Sequence, residues 1–194
     1  VDYEKQKVDA SSMYQGYREV QVSPETYEKF RVEKKLDWRD SLKANEFIIM
    51  SAADVNGDLL GRYNEPSKEL RLVPRKRTTV SGIKPLNIEQ KMALELLLDD
   101  TIPLITLLGQ AGTGKTLLAL AAGMAKVIDE AKYNRLLVSR PVIPMGKDIG
   151  YLPGDKDEKL SHWMQPIFDN LEYILGINKK KDEEKGVDWF IKNN

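Results

Sequence analysis

Gly109-Gln110-Ala111-Gly112-Thr113-Gly114-Lys115-Thr116 fits the pattern G-x-x-x-x-G-K-[ST], and its reading decides how the rest of the chain is understood. Ahead of it, Leu104-Ile105-Thr106-Leu107-Leu108 is a short apolar run of the kind that forms a buried parallel strand. Behind it, Leu117 to Ile128 are rich in Leu, Ala and Met, which favour helix. Strand, glycine loop and helix is the order that a phosphate-binding P-loop needs. The glycines let the backbone curl until successive N–H groups face one anion. The helix N-terminus adds unpaired N–H groups and the positive end of a dipole. Gly109, Gln110, Ala111, Gly112, Thr113, Gly114, Lys115 and Thr116 are therefore the expected nucleotide-binding residues. Lys115 is expected at the loop's mouth, reaching the β- and γ-phosphates, with no partner for its charge except phosphate. The Thr116 hydroxyl is expected on Mg²⁺.

Downstream, Arg135 to Ser139 read as the next strand, with Leu136-Leu137-Val138 as its buried part. The interval fits a helical crossover, which predicts a parallel, right-handed βαβ unit. Arg140 to Lys147 form an irregular loop at that strand's C-terminal end, the edge where parallel sheets place ligands. From Leu160 to Leu175, apolar residues recur at i, i+3, i+4 spacing, which predicts an amphipathic helix kinked at Pro166. Its stripe reads as core or subunit interface. His162, the only histidine, has no paired Ser or Cys motif and reads as exposed or capping. Lys179 to Lys185 are a charged, solvated run.

Upstream, Asn87 caps a helix running to Leu98, with Met92, Ala93, Leu96 and Leu97 on one side. Glu46 to Met50, Leu59 to Tyr63 and Glu69 to Val73, punctuated by Asn56-Gly57, predict a small antiparallel β-meander. Residues 1–44 are polar but carry Tyr14, Tyr17, Tyr27, Phe30 and Trp38. They read as an arm that lays aromatics on a neighbouring surface, or as a linker. Within them Ser23-Pro24-Glu25 marks a helix start. Pro74-Arg75-Lys76-Arg77 is a basic cluster that reads as a solvated loop or as a contact with a nucleic-acid backbone. The expected organisation is an arm over 1–44, a meander over 45–81 and an α/β P-loop domain over 82–194.

Composition bounds the function. The chain has 194 residues, 41% hydrophobic and 31% charged, as soluble domains do. Lys+Arg and Asp+Glu both total 30, so any nucleic acid must be held by a local basic patch. With no cysteine, disulfides, zinc–thiolate sites and thiol catalysis are excluded. The apolar runs fall short of a membrane span. The N-terminus lacks a signal segment and an initiator Met, and is expected to be a cut inside a longer cytoplasmic protein, or what is left after disordered residues.

Several apparent motifs fail on order. Val127-Ile128-Asp129-Glu130 resembles a Mg²⁺-holding strand end, but lies on the continuation of the P-loop helix. Leu98-Asp99-Asp100 precedes the P-loop. Asn178-Lys179-Lys180-Lys181 has Lys181 where a guanine reader needs Asp, and Asp54-Val55-Asn56-Gly57 lies upstream. GTP is therefore disfavoured.

Leu86-Asn87-Ile88-Glu89-Gln90, Leu96 to Asp100, the loop from Gly109 to Thr116, and the stretch from Ser139 to Gly154 together resemble the PhoH family of P-loop ATPases. The resemblance runs from about residue 82 to 175. The upstream part is similar to the connector in members where a PIN domain precedes the ATPase. It implies a RecA-like parallel sheet, a hexameric ring, ATP and Mg²⁺ as cofactors, and ATP-dependent unwinding of RNA coupled to PIN cleavage. The acidic Walker B strand and the arginine motifs of the family, like the PIN active site, are expected outside this sequence. The resemblance also makes Gln90 the adenine reader, since an amide donates and accepts at once; the other reading is a capping box, Asn87-x-x-Gln90. Arg140 and Lys147 become candidates for contact with single-stranded RNA. A small-molecule kinase and a non-enzymatic, nucleotide-gated assembly module are the alternatives.

Overall fold

The computed structural model describes residues 14–74, 79–140 and 156–178. The chain divides into two compact units, Val1–Lys76 and Arg77–Asn194.

The first unit is built on a five-stranded mixed sheet. Its strands are β1 (Tyr17–Val22), β2 (Lys35–Asp37), β3 (Phe47–Ala52), β4 (Leu59–Asn64) and β5 (Glu69–Leu72), in the order β1-β3-β4-β5-β2. β3, β4 and β5 form the predicted antiparallel meander, in register Ile48↔Gly61 and Gly61↔Leu72. Beyond the sequence reading, β1 lies parallel to β3, and β2 closes antiparallel on β5. Helix α1 (Pro24–Glu33) starts where Ser23 accepts a hydrogen bond from the Thr26 N–H at 3.2 Å, with Pro24 in the first turn. It ends at Lys34, whose left-handed backbone (φ 64°) returns its N–H to the Phe30 carbonyl.

Tyr27 and Phe30 of α1 are buried with Ile48, Met50, Leu59 and Leu70. Burying one such side chain stabilises the fold by roughly 1.5–3 kcal/mol. The arm expected over residues 1–44 is thus corrected for its described part. These aromatics fill the core of their own unit rather than covering a neighbour, because β1 and β2 give the segment edges of the sheet to bind. Glu46, 1% exposed, lies at the head of β3. It accepts from the Arg18 Nε–H at 2.5 Å and from the Lys43 backbone N–H at 2.7 Å. Burial alone would raise its carboxyl. The Lys43 N–H and the Arg18 guanidinium outweigh that and hold it below the usual range.

The regular elements described in the second unit are helices, joined by extended and irregular segments. Helix α2 (Ile88–Leu97) is capped by Asn87, as its sequence predicts. Helix α3 (Lys115–Met124) follows the glycine loop and widens into a π-helical turn over Ala125–Asp129. Helix α4 (Lys156–Asn178) carries Pro166 in its interior. Leu94 of α2, Leu118, Ala121 and Met124 of α3, and Ile167, Leu171 and Ile174 of α4 share one core. The described part of the α4 stripe is therefore core, one of its two expected roles. Lys126, buried, donates to the Leu98 carbonyl at 2.8 Å and to Asp100 at 2.5 Å, and Lys132 pairs with the other Asp100 oxygen. Hydrogen bonds from Lys126 and then Lys132 lower the Asp100 carboxyl. Asp129 accepts from the Ser81 hydroxyl beside this helix and forms no strand end.

The parallel βαβ unit expected around the P-loop is not what the described residues show. Leu104–Leu108 and Arg135–Ser139 take no strand pairing, and Leu104 and Leu137 are 82% and 88% exposed. An extended segment becomes a strand only when a neighbour takes up its N–H and C=O groups, and among the described residues no strand lies beside either. Leu136 packs against the core of the unit, where a Cβ on Gly123 of α3 would meet its Cδ1 at 2.6 Å. The chain is thus mixed α/β, with its sheet in the first unit. The described residues contain no helix long and apolar enough to cross a membrane.

Candidate functional site

The glycine loop joins the extended segment to α3 as its motif requires. Gly112 and Gly114 adopt φ of 77° and 83°, a left-handed backbone that residues with a Cβ enter only under strain. Gly114 is the N-cap of α3 and supplies no side-chain cap, and the first turn holds no acidic residue. The leading N–H groups of α3 are thus left without a side-chain acceptor at the helix's positive end, an arrangement that suits an anion. Thr113 braces the loop by donating its hydroxyl to the Gln110 carbonyl at 2.9 Å. Thr116 is exposed in the first turn of α3. Its hydroxyl is a hard oxygen of the kind Mg²⁺ accepts beside phosphate.

Lys115 departs from its expected solitude. Its ammonium donates to the Gly109 carbonyl at 2.8 Å, the Gln110 carbonyl at 2.6 Å and the Thr113 hydroxyl at 3.2 Å. An ammonium has three protons to place, and the curled loop turns carbonyl oxygens toward it. Lys115 therefore spans the loop and takes oxygen partners there.

Gln90 completes one half of its expected capping box. The Asn87 side chain accepts from the Gln90 N–H at 2.8 Å, which is the cap. The Gln90 side chain reaches further. Its Oε1 accepts from the Leu86 N–H at 2.7 Å, and its Nε2 donates to the Thr113 carbonyl of the P-loop at 3.2 Å. One partner is a donor and the other an acceptor, so the amide can sit only one way round. It retains one lone pair and one N–H for a ligand. A cleft of about 380 Å³ opens beside it, lined by Lys84, Leu86, Gln90, Gly114, Tyr173 and Ile177 among others. That volume lies in the roughly 300–1,000 Å³ range of small-molecule sites.

A model of the family described as PhoH-like protein matches residues 82–187, more than half of the chain. The chain belongs to the PhoH family. Among relatives, it is 43% identical over 177 residues to Protein PhoH2 of Bacillus subtilis, covering 89% of this chain and 40% of that protein. It is 34% identical over 172 residues to Protein PhoH2 of Mycolicibacterium smegmatis, covering 88% and 39%. A PhoH-like protein of Mycobacterium tuberculosis is 32% identical over 113 residues, 58% of this chain and 31% of that one. The chain thus spans about two fifths of the length of the PhoH2 relatives. The PhoH2 alignments are too long to fit within residues 77–194, so they take in much of the first unit, which the PhoH family model does not reach. No solved structure matches.

The structure brings Gln90 and the whole of Gly109–Thr116 into one place. Arg140 is exposed at the end of a described stretch, whereas Lys147, the rest of that loop and the basic cluster from Arg75 lie outside the described residues. Lys84, Tyr173 and Ile177 were not singled out by sequence, and Leu86 only as part of the family resemblance. The available signal was that Tyr173 and Ile177 are one helical turn apart and off the apolar stripe of α4.

Proposed function

We propose that this chain is the ATP-binding part of a P-loop ATPase that does ATP-driven work on RNA. The observation that carries the reading is the uncapped N-terminus of α3 behind the left-handed Gly112 and Gly114, with Lys115 spanning the loop in front of it. An incoming triphosphate offers Lys115 charged oxygens in place of neutral carbonyls, and charge-assisted bonds are the stronger ones. Mg²⁺ would be held by Thr116, by phosphate oxygens and by water, since the described residues gather no cluster of three His, Asp or Glu. Bound there, it would neutralise charge on the phosphates.

Gln90 supports adenine as the base. Its remaining lone pair and N–H match the N6 donor and N7 acceptor of adenine, whereas guanine presents acceptors at both positions. In the whole protein this site would drive RNA unwinding with single-stranded RNA as its partner, coupled to a PIN ribonuclease domain. Subunits would assemble as a hexameric ring, in which an arginine from the neighbour can stabilise the transition-state charge.

Titration calorimetry with ATP–Mg²⁺ tests the site. Lys115→Ala should lower affinity by about 10- to 100-fold, the worth of a hydrogen bond to a charged group. Unchanged affinity would sink the phosphate reading. Competition should favour ATP over GTP, and Gln90→Ala should narrow the gap. An ATPase assay of the whole protein with and without single-stranded RNA tests the coupling, and light scattering with ATP–Mg²⁺ tests the ring.

A further inference from the structure

The cleft beside Gln90 has an apolar wall that the phosphate grip does not use. Leu86, Tyr173 and Ile177 line it and are 80%, 58% and 40% exposed. Three large apolar side chains left open around one hollow need an occupant more than three scattered ones do. The phase of α4 shows that this is no leftover of core packing. Ile167, Leu171 and Ile174 turn into the unit's core and anchor the helix, while Tyr173 and Ile177, one turn apart, share the side that meets the cleft.

We propose that Tyr173 is the stacking platform for the nucleobase of the bound nucleotide, with Leu86 and Ile177 completing the apolar seat. This rests on the phosphates occupying the loop from Gly109 to Thr116. Continuity commits the cleft to that occupant. Gly114 is at once the last glycine of the loop, the N-cap of α3 and part of the cleft lining. Gln90 lines the same cleft and donates to the Thr113 carbonyl of the loop. A base leaving the phosphates along this path meets an amide for its edge and an aromatic ring for its face. The two residues then divide the work. Stacking on an aromatic ring tolerates any base, because every base has a π-face. The Gln90 amide discriminates between bases by its donor and acceptor. Tyr173 thus supplies affinity and Gln90 supplies preference.

The test measures binding of ATP–Mg²⁺, GTP–Mg²⁺ and inorganic tripolyphosphate–Mg²⁺ to the full chain and its variants by calorimetry. Tyr173→Ala should weaken ATP and GTP alike by about tenfold, as loss of one stacked base does, and leave tripolyphosphate unchanged. Tyr173→Phe should restore both nucleotides. Gln90→Ala should change the ATP-to-GTP ratio, which Tyr173→Ala should not. Equal ATP affinity in Tyr173→Ala and the parent chain, with tripolyphosphate bound normally, would overturn the platform while leaving the phosphate loop standing. Equal loss of ATP and tripolyphosphate would assign Tyr173 to the fold and overturn the platform too. Failure of the parent chain to bind tripolyphosphate would remove the phosphate reading and the base seat with it.

Discussion

The two units satisfy their backbones differently. In the first, each of the five strands has a hydrogen-bonded neighbour within the unit, and Phe30, Ile48, Met50 and Leu70 are wholly buried. In the second, three helices bury a core of their own, yet Leu104, Leu108 and Leu137 stay exposed on extended segments without strand partners among the described residues. A helix closes its hydrogen bonds within itself and needs only a partner face, whereas a strand needs a second backbone. The first unit therefore completes its sheet with the residues it has. The described part of the second unit holds the glycine loop and its helix with no strand beside them.

Substitutions can break or sharpen this contrast. The largest effect is expected from Phe30→Ala, which empties the centre of the first core and should cost about 4 kcal/mol, read as lost hydrogen-exchange protection of the β3 and β4 amides. A cost below about 1 kcal/mol would mean that the first core is not closed. Next comes Gly61→Ala in β4. The added Cβ would lie 2.6 Å from Cγ of the fully buried Leu70, an overpacking worth about 2 kcal/mol. In a Leu70→Ala background the same change should cost little, and a double-mutant cycle measures the difference.

Glu46→Gln should cost about 1.5 kcal/mol at neutral pH, since Arg18 is half exposed and solvent screens the pair. The folded carboxyl is held below its unfolded value. Its stabilisation is therefore present above the unfolded value of about 4.3 and is lost as pH falls through the folded one. Unfolding at pH 7 and pH 3 should show a smaller pH-dependence in the variant than in the parent chain. The smallest effect is expected from Leu104→Ser and Leu137→Ser, each within about 0.5 kcal/mol because the side chains are exposed. A cost of 2 kcal/mol or more at either position would place it inside a sheet and dissolve the contrast.

What was legible in the sequence was what depends on neighbours along the chain. Ser23-Pro24, Asn87 and the glycine loop act through residues a few positions away, and each sits where its pattern placed it. The meander was legible because Asn56-Gly57 and alternating side chains mark a hairpin locally. The parallel pairing of β1 on β3 was hidden, since Tyr17 to Val22 mix exposed Arg18, Glu19 and Gln21 with half-buried Val20 and Val22, and their partner begins beyond α1 and β2. β2 is three residues, too short for any period. At the site, the spacing Asn87-x-x-Gln90 gave the cap, but nothing local could announce a bond from Gln90 to Thr113, 23 residues on. The runs at Leu104 and Leu136 were legible as apolar, but a run shows what a strand needs and not whether a second strand meets it, and among the described residues none does.

The wide turn over Ala125–Asp129 has a consequence best counted in angular phase. An α-helix advances about 100° per residue, and a turn closed by the Glu130 N–H on the Ala125 carbonyl holds one residue more than an α-turn does. That extra residue shifts the last helical positions by about one step, and the helix stops there, Ala131 following with a left-handed backbone (φ 49°). Lys126 within the turn and Lys132 beyond it both reach Asp100, one to each carboxylate oxygen. Deleting a single residue between the two lysines would shorten the span that lets both reach one carboxylate. The length of this segment therefore matters to the clasp at its end.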